Sequence, residues 1–175
     1  MIKSWCADNV TQAMKDGLWA TQEKNQELLT EAFHTSRHVI LLFSVNRSMA
    51  FQGYVRADTA KRPFSIEKTK LIPNQALMTS PPDPSLPVPS FCNKLNWATS
   101  PAFTLRWLAT TPVHFRLVGH LKNTCNPDEE GLPRAVLVGK DGQEISQDAG
   151  MGVVWILDEA DEVEGRGRLK DEREQ

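Results

Sequence analysis

Six prolines between residues 73 and 89 (Pro73, Pro81, Pro82, Pro84, Pro87 and Pro89) set the layout of this chain. Each ring removes a backbone donor and disfavours helix in the residue before it, so a long extended loop is predicted there. Regular structure must come from the residues on either side. With 175 residues the chain fits one domain, able to bury roughly 70% of the surface that its unfolded form would expose.

Ahead of the loop, residues 2–5 read as the end of a strand and residues 8–15 as a short helix, with Asp8 as N-cap and Gly17 as its stop. A second helix capped by Asn25 puts Leu28, Leu29, Ala32 and Phe33 on one apolar face. Residues 39–45 and 51–57 are strand-like and the five residues between them form a hairpin connection. Beyond the loop, alternation at 103–107 predicts a half-buried strand and another is expected near 115–121. An acidic loop at 126–133 and a short strand at 134–138 follow. A final helix from the Ser146 cap is expected to turn Val153, Val154, Ile156 and Leu157 inward, weakened by Gly150 and Gly152.

The hydrophobic content of 40% and charged content of 24% are those of a globular chain and exclude a wholly disordered or collagen-like one. No apolar run approaches the ~18 residues that span a bilayer, so no membrane association is expected. The first residues carry no basic region followed by an apolar core, which argues against a secretory leader. The three cysteines are widely spaced and lack zinc spacing, which predicts free thiols in a reducing compartment.

The formal charge of -2 averages two unlike parts. From Asp158 onward there are eight acids and four bases, a tail expected to be disordered. Between residues 37 and 70, Arg37, Arg47, Arg56, Lys61, Arg62, Lys68 and Lys70 face only Asp58 and Glu67. That stretch reads either as a phosphate-attracting surface or as a solvated face.

Five tryptophans stand against one tyrosine. Trp107 and Trp155 fall in apolar patterns and read as core. Trp5, Trp19 and Trp97 lie at element ends or in a loop, where a large ring either meets a ligand or covers the end of a sheet. Catalytic patterns are poor by comparison. His34 and His38 are an i, i+4 pair at the end of the second helix, and no HExxH, nucleophile elbow or glycine-rich phosphate loop is present. Cys6, opening a helix, reads either as a lowered-pKa thiolate or as an inert thiol.

Several segments in order resemble the YTH domain family. They are Ile2-Lys3-Ser4, Asn9-Val10, Gly17-Leu18-Trp19-Ala20-Thr21, Leu42-Phe43-Ser44-Val45-Asn46, Phe51-Gln52-Gly53, the run Phe103 to Trp107, and Gly139-Lys140-Asp141-Gly142-Gln143-Glu144. The resemblance covers residues 1–157 as an RNA-binding domain with a proline-rich insertion at 73–93, and leaves 158–175 as the tail. It implies an α/β fold of PUA-like type, an open β-barrel or curved mixed sheet surrounded by helices. It also implies binding of single-stranded RNA carrying N6-methyladenosine, with no cofactor, no metal and no catalysis. Apolar residues ahead of Ile2 are implied as well, so a chain starting at Met1 carries only the end of its first strand.

The resemblance further implies a cage for the methylated base, with Trp19 as floor and Trp97 as opposing wall. Phe91, Leu95 and Met78 compete for the third wall, and Trp97 fits either of two cage positions. The Ala20 carbonyl would accept the remaining N6 hydrogen, Asn9 would meet ring nitrogen N1, and the Trp5 amide would reach N3. Lys3, Ser4 and Lys140 correspond to phosphate-holding positions, with Lys140 replacing the more usual arginine, and Met49-Ala50 stands where the family has Ser-Gly. The segments Phe51-Gln52-Gly53 and Lys140 to Glu144 resemble the nuclear branch, which implies a nuclear location. Two other readings remain: a YTH-like module that binds RNA through the basic 37–70 stretch regardless of methylation, and a PUA-like enzyme or thiol protein using Cys6.

Overall fold

The computed structural model describes the backbone of residues 1–36, 38–58, 77, 78 and 80–171, and their side chains except at 53–58, 77, 78, 94 and 165–171. The elements in order are β1 (Ile2–Ser4), α1 (Ala7–Asp16), β2 (Leu18–Trp19), α2 (Gln26–Thr35), β3 (His38–Val45), β4 (Ala50–Asp58) and β5 (Leu77–Met78). They continue with β6 (Phe103–Thr104), β7 (Trp107–Ala109), β8 (Val113–His114), β9 (Lys122–Pro127), β10 (Pro133–Ala135) and α3 (Gln147–Asp171). Short 3-10 helices occupy Glu23–Asn25, Ser90–Lys94 and Phe115–Leu117. The chain divides into two compact units, residues 1–6, 42–54 and 109–175 in the first, and 7–41 and 55–108 in the second.

In the first unit β1 lies parallel to β3, Ile2 opposite Phe43 and Ser4 opposite Val45. The start of β4 pairs antiparallel with β8, Phe51 opposite Val113. Ile2, Phe43, Phe51, Val113, Val118, Val136, Val153 and Leu157 are among the fully buried side chains of this core. Phe51 meets Phe115 edge-on, with ring centroids 5.0 Å apart. The β9–β10 hairpin is held by a buried amide. Asn123 Nδ2 donates to the Glu144 carbonyl at 2.8 Å, and Asn123 Oδ1 accepts from Ser146 N at 2.9 Å and Cys125 N at 3.1 Å.

The second unit holds α1, β2, α2, β6 and the strand pairing of β5 parallel to the end of β4. Its buried residues include Val10, Ala13, Trp19, Leu29, Phe91, Phe103, Leu105 and Trp107. The expected α2 face is narrower than its periodicity implies, since Leu29 is buried while Leu28 is 44% exposed. In the described part of the proline loop, Asp83 Oδ1 accepts from Ser85 N at 2.8 Å and the Asp83 carbonyl from Leu86 N at 3.1 Å, a turn with Pro84 at the position that favours it.

Several expectations are corrected. Helix α1 begins at Ala7, so Asp8 lies in its first turn, and Asn25 uses its amide on Thr21 Oγ1 at 3.1 Å instead of capping α2. The strand expected at 103–107 is broken into β6 and β7 because Leu105 N is drawn out to the Gly17 carbonyl. Residues 115–117 coil into a 3-10 helix because His114 Nδ1 accepts from Arg116 N at 3.1 Å. The acidic loop is shorter than 126–133, since β9 runs to Pro127 and Asp128 Oδ1 closes the turn by accepting from Glu130 N and Leu132 N. The short strand expected at 134–138 is Pro133–Ala135.

At the C-terminal end the helix expected from Ser146 is present, with Val153 and Leu157 inward. It continues past Asp158, where disorder was expected, because Asp161 Oδ1 accepts from Thr110 N at 3.1 Å and Thr111 N at 2.9 Å. Trp155 is 68% exposed and not core, since it lies on the helix face opposite Val153. Of the basic 37–70 stretch, Arg47 is exposed in the hairpin, only the backbone of Arg56 is described, and Arg37, Lys61, Arg62, Lys68 and Lys70 lie outside the described residues. So do Pro73 and residues 172–175 of the tail.

Asn123→Ala is expected to cost about 2 kcal/mol, because the Ser146 and Cys125 amides lose their acceptor together while the Glu144 carbonyl keeps Gln143 Nε2 at 3.2 Å. Urea unfolding checks this, and a loss below about 1 kcal/mol would show that the amide does not organise the hairpin.

Candidate nucleic-acid interface

In the second unit, residues 18–23 run antiparallel to 98–104. Leu18 and Trp19 pair with Thr104 and Phe103. Ser100 N donates to the Thr21 carbonyl at 2.8 Å, and Thr21 N to Ser100 Oγ at 3.2 Å. Gln22 bridges Thr99, and Glu23 N donates to the Ala98 carbonyl at 3.1 Å. This ladder holds Trp19 and Ala20 against the chain that carries Trp97.

Helix α1 must turn into the ladder within one residue. Gly17 does so at φ +65°, with its N–H on the Ala13 carbonyl at 2.9 Å and its own carbonyl accepting from Leu105 N at 2.6 Å. A Cβ there would stand 3.3 Å from the Leu105 carbonyl oxygen in a backbone region that L-residues avoid. Trp107 Nε1 also donates to the Ala13 carbonyl, at 3.2 Å, which gives the core reading of that ring its physical reason.

Trp19 is 3% exposed and Phe91 is 5% exposed, their ring centroids 4.8 Å apart and their planes inclined by 40°. A base sandwiched between two rings needs two stacking intervals of ~3.4 Å each. These two rings are therefore adjoining walls of a corner. Phe91 is set by the 3-10 helix Ser90–Lys94, which Cys92 N opens on the Pro89 carbonyl and Leu95 N closes on the Cys92 carbonyl. Leu95 is half-buried, and Trp97, at 38% exposure, is the ring of this group that faces solvent. A side-chain hydrogen bond between Cys92 and Thr99 closes the loop that carries Trp97, and burial pushes the Cys92 thiol up against the opposing effect of that bond. The thiol stays protonated at neutral pH. Asn9 is buried on α1, the helix that leads through Gly17 to Trp19. Met78 lies in β5, its side chain outside the described residues.

In the first unit the 139–144 loop is tied to β1. Gly142 N donates to the Met1 carbonyl at 3.0 Å and Lys3 N to Asp141 Oδ1 at 2.8 Å. Gly139 allows the approach, since a Cβ there would stand 2.8 Å from Met1 Cε. Lys140 is exposed and Lys3 half-exposed, on two segments that these hydrogen bonds join. Ser4 is 1% exposed and its hydroxyl donates to the Cys6 carbonyl at 2.8 Å. That hydroxyl shapes the turn into α1. Trp5, 65% exposed, projects from the same turn.

The structure thus brings Trp19, Ala20, Phe91, Leu95 and Trp97 into one unit, and Lys3, Ser4, Trp5 and Lys140 into the other. Sequence reasoning missed Ser100 and Asp141 as positioning residues. The bond from Thr21 to Ser100 spans 79 residues and left no local signal. Asp141 did leave one, an Asp-Gly pair of the kind that marks a turn. Among the described residues no group of three or more His, Cys, Asp or Glu is placed to hold a metal ion, and no helix is long and apolar enough to cross a membrane.

A mixed α/β module with a buried aromatic corner is the class that these observations define. The model of the YTH family, described as the YT521-B-like domain, matches residues 1–158, and the chain belongs to that family. It is 33% identical over 174 residues to YTH domain-containing protein 1 of Drosophila melanogaster, covering 99% of this chain and 21% of that protein. It is 28% identical over 164 residues to the 30-kDa cleavage and polyadenylation specificity factor 30 of Arabidopsis thaliana, covering 90% of this chain and 21% of the relative. The chain therefore spans about a fifth of the length of these curated relatives. Among solved structures, the Toxoplasma CPSF4 YTH domain in complex with a 7-mer m6A-modified RNA superposes with a TM-score of 0.68 at 28% identity, covering 89% of this chain and 87% of that one.

Gly17→Ala is expected to destabilise the protein by about 1–2 kcal/mol through its left-handed backbone. Denaturant titration measures it, and an unchanged midpoint would mean that the turn relaxes freely.

Proposed function

We propose that this chain is a non-enzymatic reader of single-stranded RNA containing N6-methyladenosine, with residues 1–157 as the binding domain, the 73–93 segment as an insertion in it and 158–175 as an appendage. The observation that carries the reading is the buried Trp19–Phe91 corner in a member of the YTH family, one of whose similar structures holds an m6A-modified RNA. A corner of two tilted rings suits a methyl group, and the partly exposed Trp97 ring is available to stack on the base from the open side. In this reading Trp19 is the floor, Phe91 the adjoining wall, and Leu95 an apolar edge. The Ala20 carbonyl takes the remaining N6 hydrogen. The buried Asn9 amide, able to donate and accept, meets N1.

The first unit supplies the remaining contacts. Lys3 and Lys140 act as point charges on phosphates, and the Trp5 amide reaches ring nitrogen N3. The engaged Ser4 hydroxyl leaves that residue a structural part in holding phosphate. The fold is read as PUA-like, an open barrel or curved sheet, supported by β1 parallel to β3 and β8 antiparallel to β4. A nuclear place in mRNA processing is favoured by the similarity to the Arabidopsis cleavage and polyadenylation factor.

Trp19→Ala is expected to abolish methyl-dependent binding, since base–aromatic stacking is worth ~1–3 kcal/mol and the methyl corner is lost with it. Titrating one short RNA with and without the methyl group checks this. Equal discrimination by the variant would remove Trp19 from the cage.

A Lys3→Ala, Lys140→Ala double variant should weaken methylated and unmethylated RNA by the same factor. It should lower the slope of log affinity against log salt by roughly 1.4, about 0.7 for each single-strand phosphate that a lysine no longer neutralises. An unchanged slope would place phosphate binding away from these lysines.

A further inference from the structure

Helix α3 has a face that its own fold leaves in water. Ala149, Val153 and Leu157 are buried, while Met151 and Trp155, one turn apart on the opposite side, are 56% and 68% exposed. Val163, two turns further on, is 64% exposed. The rotation of the helix is not free. Val153 and Leu157 have no exposed surface, and Asp161 holds the amides of Thr110 and Thr111. Trp155 is thereby held outward.

The stretch of helix around the ring carries one sign of charge. On a helix, residues three, four and seven apart lie on one side. From Trp155 these positions are Asp158, Glu159, Glu162 and, seven residues back, Asp148, with Met151 four back. Between residues 148 and 164 there are six acids and no lysine or arginine. An exposed tryptophan beside a methionine is the composition of a binding hot spot, since a ring of this size buries 150–250 Å². RNA and anionic lipid are repelled by the acids. Pairing with the same face of a second copy would set acid against acid.

We infer that the Met151–Trp155 face of α3 docks a basic amphipathic segment of a partner protein. An apolar side chain of that segment lies on Trp155, and its Lys or Arg residues face the exposed Asp148 and Glu159. This surface is separate from the aromatic corner and does not depend on the RNA reading.

The test is an array of labelled amphipathic peptides with Leu, Phe or Met anchors flanked by Lys or Arg, each matched to a Glu-flanked counterpart, read by fluorescence anisotropy on the full chain. Basic peptides should bind with an affinity that falls as salt rises, and their acidic counterparts should not. Trp155→Ala should weaken binding at least tenfold while the far-UV circular dichroism is unchanged, and Trp155→Phe should restore part of it. If the alanine variant unfolds, the D148K/E159K double exchange still decides, because it leaves the ring in place and should reverse the preference toward acidic peptides. Affinity for methylated RNA should be the same in both Trp155 variants. Equal binding of basic and acidic peptides, no binding by any basic peptide, or no effect of Trp155→Ala would overturn the inference. So would a dimer in sedimentation that Trp155→Ala dissolves, or a loss of RNA affinity in that variant.

Discussion

The antiparallel ladder between residues 18–23 and 98–104 is the constraint on which the candidate pocket depends. It joins one strip of chain at the exit of α1 to another beyond the proline loop, and every cage candidate of the second unit with a described side chain lies on the first strip or on residues 90–97, which lead into the second. Gly17 is the pivot. Its left-handed backbone ends α1 and starts the ladder in a single residue, so Trp19 is delivered into the interior and not along the helix axis. Short strands of two residues, such as β2 and β6, are weak by themselves. Here they are supported by the side-chain bonds of Ser100 and Asn25 to Thr21, which extend the ladder where regular pairing stops.

The first unit achieves a comparable result by different means. Its loop at 139–144 carries no regular structure, yet the Lys3 amide and the Met1 carbonyl fasten it to β1. Fastening a loop through its backbone leaves the lysine side chains uncommitted to the tie itself. Charge can then be displayed at a fixed place without a buried ion pair, whose desolvation would offset much of its attraction.

Local signals in the sequence carried much of this fold. The β3–β4 hairpin, the stop at Gly17, the inward Val153 and Leu157, and the core place of Trp107 all follow from periodicity or turn chemistry acting over a few residues. Part of what failed was set by partners far away: the break between β6 and β7 comes from Gly17, and the length of α3 from Thr110 and Thr111. The idle cap of Asn25 and the coil at 115–117 come from competing side-chain bonds within four residues. Trp155 shows the same limit in another form. An apolar run cannot say which of its members faces out, because the rotation of the helix is fixed by Asp161 and the two buried residues around it. The aromatic corner was legible only by resemblance, since nothing in the spacing of residues 19 and 91 brings those rings together.

Discrimination in the proposed site has a physical bound. Removing one methyl group from water is worth ~0.8 kcal/mol, which alone gives about a fourfold preference. A larger ratio has to come from shape. In close-packed surroundings an unfilled methyl-sized space forfeits dispersion attraction on its walls, so an unmethylated base would leave a gap where the methylated one does not. The 4.8 Å approach of Trp19 and Phe91 leaves little room for relaxation to close such a gap, because both rings are already buried and each is held by its own backbone bonds. Preference for the methyl group therefore scales with the rigidity of this corner. Changes in the ladder or in the 3-10 helix that leave both rings present would lower selectivity before they lower total affinity.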